Sequence, residues 1–438
     1  MKKVLIIAYD FPPYVSVGGL RPYSWYKYMK EFGVEPIVVT RQWSNKHGNA
    51  LDYISASESK ETLIEQTEYG TIIRAPYFPS ISNRILLKYG EQKFTFFRRA
   101  LTAWDEFRQF ITISGPKKHL FHAANDYLKH NKVDAIIATG DPFITFYFAK
   151  KLGAKYNVPW IADYRDPWSQ NIKKQNSIYK FWINSLEKKI VSASALITTV
   201  PSINSVINKL FSNKKIISIS NGYDNEIIDR VSTIPQQTNI LTLTFVGTLY
   251  DWHPWKAFLL TLSKIIDSKG IKIQLNLYGV NKSEEIIAFI DKCNPKLKTT
   301  VSIFPRIPNS DLLSKIAKEN VMLLFNYYHF NGTKIYDYLG LKRQILFCFD
   351  NDKDALKLKQ KYFDTDECKN NNDRPQRDII MKHNAGIIVK DQQHLYEVLE
   401  NLIEEFEQNG KIGCNSDNVE IYSRKIQAKH LADIIKNL

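Results

Sequence analysis

A chain of 438 residues, 44 % hydrophobic and 13 % aromatic, can core two large or three small domains, which excludes a disordered or fibrous protein. The net charge of +15 suits an anionic partner, whether nucleic acid, membrane surface or phosphorylated ligand, without choosing among them. Four scattered cysteines (Cys293, Cys348, Cys368 and Cys414) with no CxxC pair argue against a disulfide framework or thiolate zinc site, and for a reducing cytoplasm.

In chain order, the apolar run 4–8 reads as a buried parallel strand. At five residues it is too short for a signal-peptide core or a membrane span, so a soluble or peripheral protein is expected. A helix over 20–32 and a strand over 36–40 follow, then strand 134–139, helix 142–156, strand 159–163, helix 178–192 and strand 195–200. Strands alternating with helices imply βαβ units and a parallel sheet covered on both faces. Around 218–239 the polar, turn-rich sequence marks a linker. The alternation restarts with strands at 241–246, 271–278, 300–304, 321–325, 344–349 and 386–389, while 364–378 reads as a polar loop. The expected fold class is α/β: two doubly wound Rossmann-like domains facing a central cleft, with ligands beyond the carboxyl ends of the strands. The first domain would span 1–219, completed by a C-terminal helix over 417–438, and the second 220–416.

Four loops could carry chemistry. After the first strand, Gly18 and Gly19 open a helix, where backbone N–H groups can approach an anion. The spacing is not GxGxxG, and the plain alternative is a turn that caps a helix. In the 331–339 segment, Thr333 is a candidate N-cap that leaves Lys334 and Asp337 in the first turn. A lysine there suits a diphosphate, and a carboxylate one turn on suits ribose hydroxyls; an ordinary capped helix with solvated charges is the alternative. Gly247 follows another strand, with Lys256 beyond it. Arg165 and Asp166 end the strand at 159–163, as either a site or a structural pair.

Together these loops resemble one family. PPYVSVGG, DYRDPW, ISNGYD, FVGTL, GTKIYDYL and the closing YSRKIQAKHLADIIKNL are similar, in order and over essentially the full length, to glycosyltransferase family 4, the retaining GT-B enzymes of surface-polysaccharide type. The resemblance implies a sugar moved from a UDP- or GDP-sugar to a glycan or lipid-linked acceptor. Gly18, Gly19 and Gly247 would lie against the donor diphosphate, and Lys334 matches a lysine of the family's P-x-K-x-x-E-Y pattern. Asp337 stands where that pattern has the ribose-binding glutamate, and Arg165-Asp166 stand where many members have His-Asp beside the transferred sugar. Departures are His329 for the first of two paired glutamates, Thr248 for an arginine after Gly247, and Lys342-Arg343-Gln344 for Gly-Lys-Pro. On this reading Lys334, helped by Lys256 or Arg21 and by helix N–H groups, stabilises the leaving diphosphate with no metal or other cofactor. The leaving phosphate takes the acceptor proton, and Arg165 and Asp166 orient sugar or acceptor. A catalytically silent sugar-nucleotide-binding relative and a nucleotide-sugar epimerase are the alternatives.

Two further features remain. Asp350-Asn351-Asp352 spells the DxD of metal-dependent transferases but follows a different strand, so it reads as coincidence. Residues 84–118 hold eight Lys and Arg beside an apolar stripe of Phe94, Phe97, Leu101, Trp104, Phe107 and Ile111. This suits either an interfacial helix on anionic lipid, on the inner face of the cell membrane, or a helix packed on its own domain with a solvated basic rim. The basic residues are dispersed and no nucleic-acid-binding motif is present, so no nucleic-acid partner is expected.

Overall fold

A computed structural model describes residues 1–14, 16–43, 51–170, 177–269, 273–328, 330–363 and 374–438. The chain divides into two units, Met1–Ser220 with Arg424–Leu438, and Asn221–Ser423.

The first unit is built on an eight-stranded sheet: β1 (Lys2–Ile7), β2 (Val34–Arg41), β3 (Leu63–Gln66), β4 (Thr71–Ala75), β5 (Ala135–Gly140), β6 (Trp160–Tyr164), β7 (Leu196–Thr199) and β8 (Ile216–Ser218). Its strand order is β3-β4-β2-β1-β5-β6-β7-β8. All pairs are parallel except β3 with β4. Alternation along the first strand explains why both faces need cover. Val4, Ile6 and Ala8 enter one apolar layer, which includes Leu431, Ala432 and Ile435 of the C-terminal helix. Leu5, Ile7 and Tyr9 enter the layer on the other side.

The second unit repeats the plan with β9 (Leu241–Val246), β10 (Ile273–Tyr278), β11 (Val301–Phe304), β12 (Val321–Phe325), β13 (Gln344–Cys348) and β14 (Gly386–Val389). These are all parallel, in the order β11-β10-β9-β12-β13-β14. In β12, Val321, Leu323 and Phe325 enter one layer, and Met322 and Leu324 the opposite one. Strand order reverses between β1 and β5 in the first unit and between β9 and β12 in the second. Open parallel sheets bind ligands at such switch points, beyond the strands' carboxyl ends.

Three expectations change. The 218–239 stretch holds a helix, Asn225–Val231, capped by Asp224 and anchored by buried Ile228 and Val231. The return helix expected over 417–438 starts only at Arg424. Before it, Val419–Tyr422 forms a 3-10 turn in the second unit, where the Tyr422 carbonyl accepts from the Tyr223 N–H at 3.0 Å and its hydroxyl contacts His383 Nε2 at 3.1 Å. Of the polar loop at 364–378, residues 364–373 lie outside the described residues, and Pro375–Lys382 is a helix with Ile379 and Ile380 buried. Among the described residues no helix is long and apolar enough to cross a membrane.

Candidate functional site

In the first unit the loops after β1, β5 and β6 converge at the switch point. Helix α1 (Val17–Tyr28) is capped by Ser16, whose Oγ accepts from the Gly19 N–H at 3.0 Å and donates to Asp10 Oδ2 at 2.9 Å. The Gly19 amide, expected to face an anion, is therefore committed to its own helix cap. Gly18 has a different reason to be glycine. A Cβ built there would overlap the Arg165 guanidinium and crowd Asp10 Oδ2. Arg165 in turn donates from Nε to the Gly140 carbonyl at 2.7 Å and from Nη2 to the Asp141 carbonyl at 2.6 Å. It thereby clamps the loop after β5 against the loop after β1.

The electrostatics of this spot are shaped by desolvation. Burial pushes the Asp10 carboxyl above the usual carboxylate range, with Arg165 opposing the rise. Its Oδ1 is buried and has no hydrogen-bond partner among the described residues. Asp166 is exposed at the surface, yet enough protein surrounds it that desolvation raises its pKa too, again against Arg165. Lys117 Nζ sits 5.6 Å from the centroid of the Tyr9 ring. Burial lowers its pKa, while Asp141 and Glu106 hold it up. Sequence reasoning found Arg165 and Asp166 here but missed Asp10, Asp141 and Lys117. The signal for the two carboxylates was available: each stands just beyond the carboxyl end of a strand, β1 for Asp10 and β5 for Asp141.

Arg21 is corrected. Expected to assist the diphosphate, it is buried, with Nη2 2.8 Å from Asp163 Oδ1. Its Nε also reaches Asp163, and Nη1 donates to the Ile219 and Ser220 carbonyls at 2.9 and 3.0 Å. Asp163 further accepts from the Thr139 and Thr198 hydroxyls, which completes a buried polar knot under the site.

In the second unit, Gly247 directly follows β9 with φ +107, a conformation that favours glycine, and a Cβ there would face open space. Its N–H donates to the Tyr278 carbonyl at 2.9 Å. The Val246 N–H donates to the Tyr338 hydroxyl at 3.1 Å, tying the end of β9 to the helix Lys334–Leu341. Lys334 opens that helix, with Nζ 3.3 Å from Asp337 Oδ2 and 3.3 Å from Asn309 Oδ1. The Lys334 side chain stays partly exposed and Asp337 is buried. Thr333 holds the N-cap position but makes no side-chain cap, so the capping role expected of it is corrected. Asn331 lies close by, its carbonyl accepting from Gln376 Nε2 at 3.0 Å and its own Nδ2 donating to the Tyr336 hydroxyl at 3.2 Å. Its Oδ1 is buried with no hydrogen-bond partner among the described residues. His329 lies outside the described residues.

Lys256 is not drawn into this group. Its Nζ lies over the Trp255 and Phe289 rings, 5.3 and 5.8 Å from their centroids. The DxD spelling is structural. Asp350 pairs with Arg377 at 3.3 Å, and Asp352 Oδ1 caps the helix Lys353–Phe363 by accepting from the Asp354 and Ala355 N–H groups. Among the described residues no group of three or more His, Cys, Asp or Glu could hold a metal ion. Chemically, the second unit offers a cation and helix-terminal N–H groups for an anion, beside a carboxylate for hydroxyls. The first offers carboxylates and a cation for polar, hydroxyl-bearing groups.

No protein-family model matches the chain, and no curated protein sequence matches it. Solved structures match it over the full length. Sucrose-phosphate synthase from Thermosynechococcus elongatus has a TM-score of 0.61 at 12 % identity, covering 100 % of this chain and 99 % of that one. The catalytic domain of starch synthase IV from Arabidopsis thaliana, solved with ADP and acarbose, has a TM-score of 0.54 at 14 % identity, covering 100 % and 98 %. Anabaena HepE, solved in complex with UDP-glucose, has a TM-score of 0.51 at 10 % identity, covering 100 % of both chains. At these identities the likeness establishes the fold: the chain has the GT-B architecture, two α/β units each built on a parallel-strand sheet.

Proposed function

We propose that the protein is a retaining glycosyltransferase that moves a sugar from a UDP- or GDP-sugar to a glycan or lipid-linked acceptor in surface-polysaccharide or glycolipid assembly, at the cytoplasmic face of the membrane. The observation that carries this reading is the Lys334–Asp337 pair. It stands in the first turn of a helix beyond the β9/β12 switch point, in a fold whose relatives were solved with ADP and UDP-glucose. Lys334 and the helix N–H groups would hold the diphosphate, and Asp337 the ribose hydroxyls. Gly247 keeps the end of β9 free of a side chain.

In the transfer step the bond from the sugar's anomeric carbon to the diphosphate oxygen breaks, and the acceptor oxygen bonds that carbon on the same face. The acceptor proton passes to the leaving phosphate oxygen. Lys334 stabilises the charge that develops there, and no metal is required by these residues. Asp10, Arg165 and Asp166 orient the sugar and acceptor hydroxyls, and none of them attacks.

Calorimetric titration with UDP, GDP, ADP and their sugars, followed by assay of acceptor-dependent nucleotide release, tests the reading. Tight binding of one nucleotide class, lost in Lys334→Ala, together with acceptor-dependent product is the expected result. Absence of binding by every nucleotide would overturn it. Product formed without acceptor would transfer the reading to an epimerase, and binding with neither product to a silent relative.

A further inference from the structure

Helices α2 (Ile81–Tyr89) and α3 (Thr95–Gln109) form a hairpin in the first unit. Not one of the 15 residues of α3 is buried. A surface helix ordinarily turns its apolar stripe to the core and its polar side to water. Here the polar side meets protein: the Ser82 hydroxyl of α2 lies 2.8 Å from Thr102 Oγ1 and donates to the Arg98 carbonyl at 3.0 Å. The aromatic side is left in solvent, with Phe96 86 %, Trp104 58 % and Phe97 54 % exposed. The patch continues across a ring contact of 5.5 Å between Phe107 and Trp182 to the helix Ser177–Val191, where Ile178 and Phe181 are 79 % and 77 % exposed. Contiguous apolar surface of this extent is unusual on a lone protein and marks something that covers it.

The charges beside it indicate what does. Arg84, Lys88, Lys93, Arg98, Arg99 and Arg108 lie on the hairpin against Glu91, Asp105 and Glu106. Arg84, Lys88, Lys93 and Arg99 are exposed. Arg98 donates to the Glu91 and Lys93 carbonyls, which fixes the turn between the helices and keeps the basic and aromatic residues on one element. A second copy of the chain, meeting this face to face, would bring net positive surfaces together. Aromatic side chains flanked by Lys and Arg match the boundary between anionic headgroups and acyl chains.

We propose that the face formed by α2, α3 and the start of the helix Ser177–Val191 docks on an anionic lipid bilayer. Phe96, Phe97, Trp104 and Phe181 enter the interface, while Arg84, Lys88 and Arg99 contact lipid phosphates. The protein lies on the membrane by this face, and the docking does not depend on the transfer reading.

The test is co-sedimentation of the full chain with vesicles of phosphatidylcholine alone and of equimolar phosphatidylcholine and phosphatidylglycerol. Two variants accompany it, Phe96→Ser/Phe97→Ser/Trp104→Ser and Arg84→Glu/Lys88→Glu/Arg99→Glu, all at exposed positions so that circular dichroism should match the parent. The expected result is binding to the anionic vesicles, weakened by salt and lowered roughly tenfold or more in each variant. A Phe96→Trp variant, which removes no apolar surface, adds an indole whose emission should be quenched by brominated lipid in the same vesicles. No binding to anionic vesicles, equal binding to both compositions, or added emission in the Phe96→Trp variant that brominated lipid leaves untouched would overturn the proposal. So would a dimer in sedimentation velocity that the aromatic variant dissolves without any vesicle binding, which would assign the face to a second copy.

Discussion

Gly18 lies against Arg165 so closely that any side chain at position 18 would occupy the guanidinium's place. Because Arg165 holds the Gly140 and Asp141 carbonyls, the contact sets the spacing of the loops after β1, β5 and β6. Gly18→Ala should displace Arg165 and lower acceptor-dependent turnover by about 10–100-fold, the usual effect of a small misplacement in a positioning group. Nucleotide affinity should stay near the parent's, since the groups proposed to hold the nucleotide, Lys334 and Asp337, lie in the other unit. Steady-state rates beside a calorimetric Kd check this; a parallel loss of affinity would contradict it.

Arg21 and Asp163 make the opposite case. Both are buried, and the guanidinium is committed to a carboxylate and two backbone carbonyls. Removing one partner strands the other charge in the core, which costs about 3–5 kcal/mol. Arg21→Ala should therefore unfold at markedly lower urea concentration, with little change in nucleotide Kd for the folded fraction. A loss of nucleotide affinity at unchanged stability would restore the diphosphate role that the sequence suggested.

Lys334 and Asp337 can be separated by ligand. Lys334→Ala should weaken a nucleoside diphosphate by about 10–100-fold, the range for losing a charge-assisted contact, and leave the parent nucleoside nearly unaffected. Asp337→Asn should weaken nucleoside and diphosphate alike, because both carry the ribose. Titrating uridine or guanosine against its diphosphate in each variant makes the comparison. Equal losses for both ligands in Lys334→Ala would remove the lysine from the phosphate.

Much of the fold was legible because parallel strands buried on both faces read as short apolar runs. The strands at 241–246, 321–325 and 386–389 have the bounds expected, and most others differ by one or two residues. Strand β4, Thr71–Ala75, is largely buried and was simply missed, whereas β3 and β8 escaped notice for a physical reason. Leu63–Gln66 is exposed along its whole length and Ile216–Ser218 is three residues at a sheet edge, so neither shows the buried pattern. In the candidate site, residues next to glycines or helix starts were found. Asp10 and Asp141 were passed over although each follows the carboxyl end of a strand, and Lys117 was not found because only the fold brings it beside Tyr9 and Asp141. Arg21 failed in the other direction: its place near the start of α1 suggested an anion contact, and only the fold shows Asp163 beneath it. Lys256 lies over Trp255 and Phe289, the second of which spacing along the chain could not show.

His253 gives a test that needs no ligand. It is buried in the loop after β9 among Phe245, Phe325, Trp252 and Tyr327. Its Nδ1 accepts from the Tyr250 N–H at 3.3 Å, while Nε2 has no partner among the described residues. Burial alone lowers its pKa from the usual 6.5 to about 3. The sign follows from proton counting: between those values the unfolded chain binds a proton at this residue and the folded chain does not. The stability held by the neutral ring is thus complete above about pH 6.5 and lost progressively as pH falls toward 3, by at most about 5 kcal/mol. His253→Phe removes the titration and should flatten the fall in unfolding free energy across that window, whatever it costs at neutral pH through the lost hydrogen bond. Urea unfolding of parent and variant at several pH values measures the difference in slope. If the two curves stay parallel from about pH 6.5 down to about 4, the imidazole is being protonated in the folded protein, and the aromatic enclosure around it is open to water.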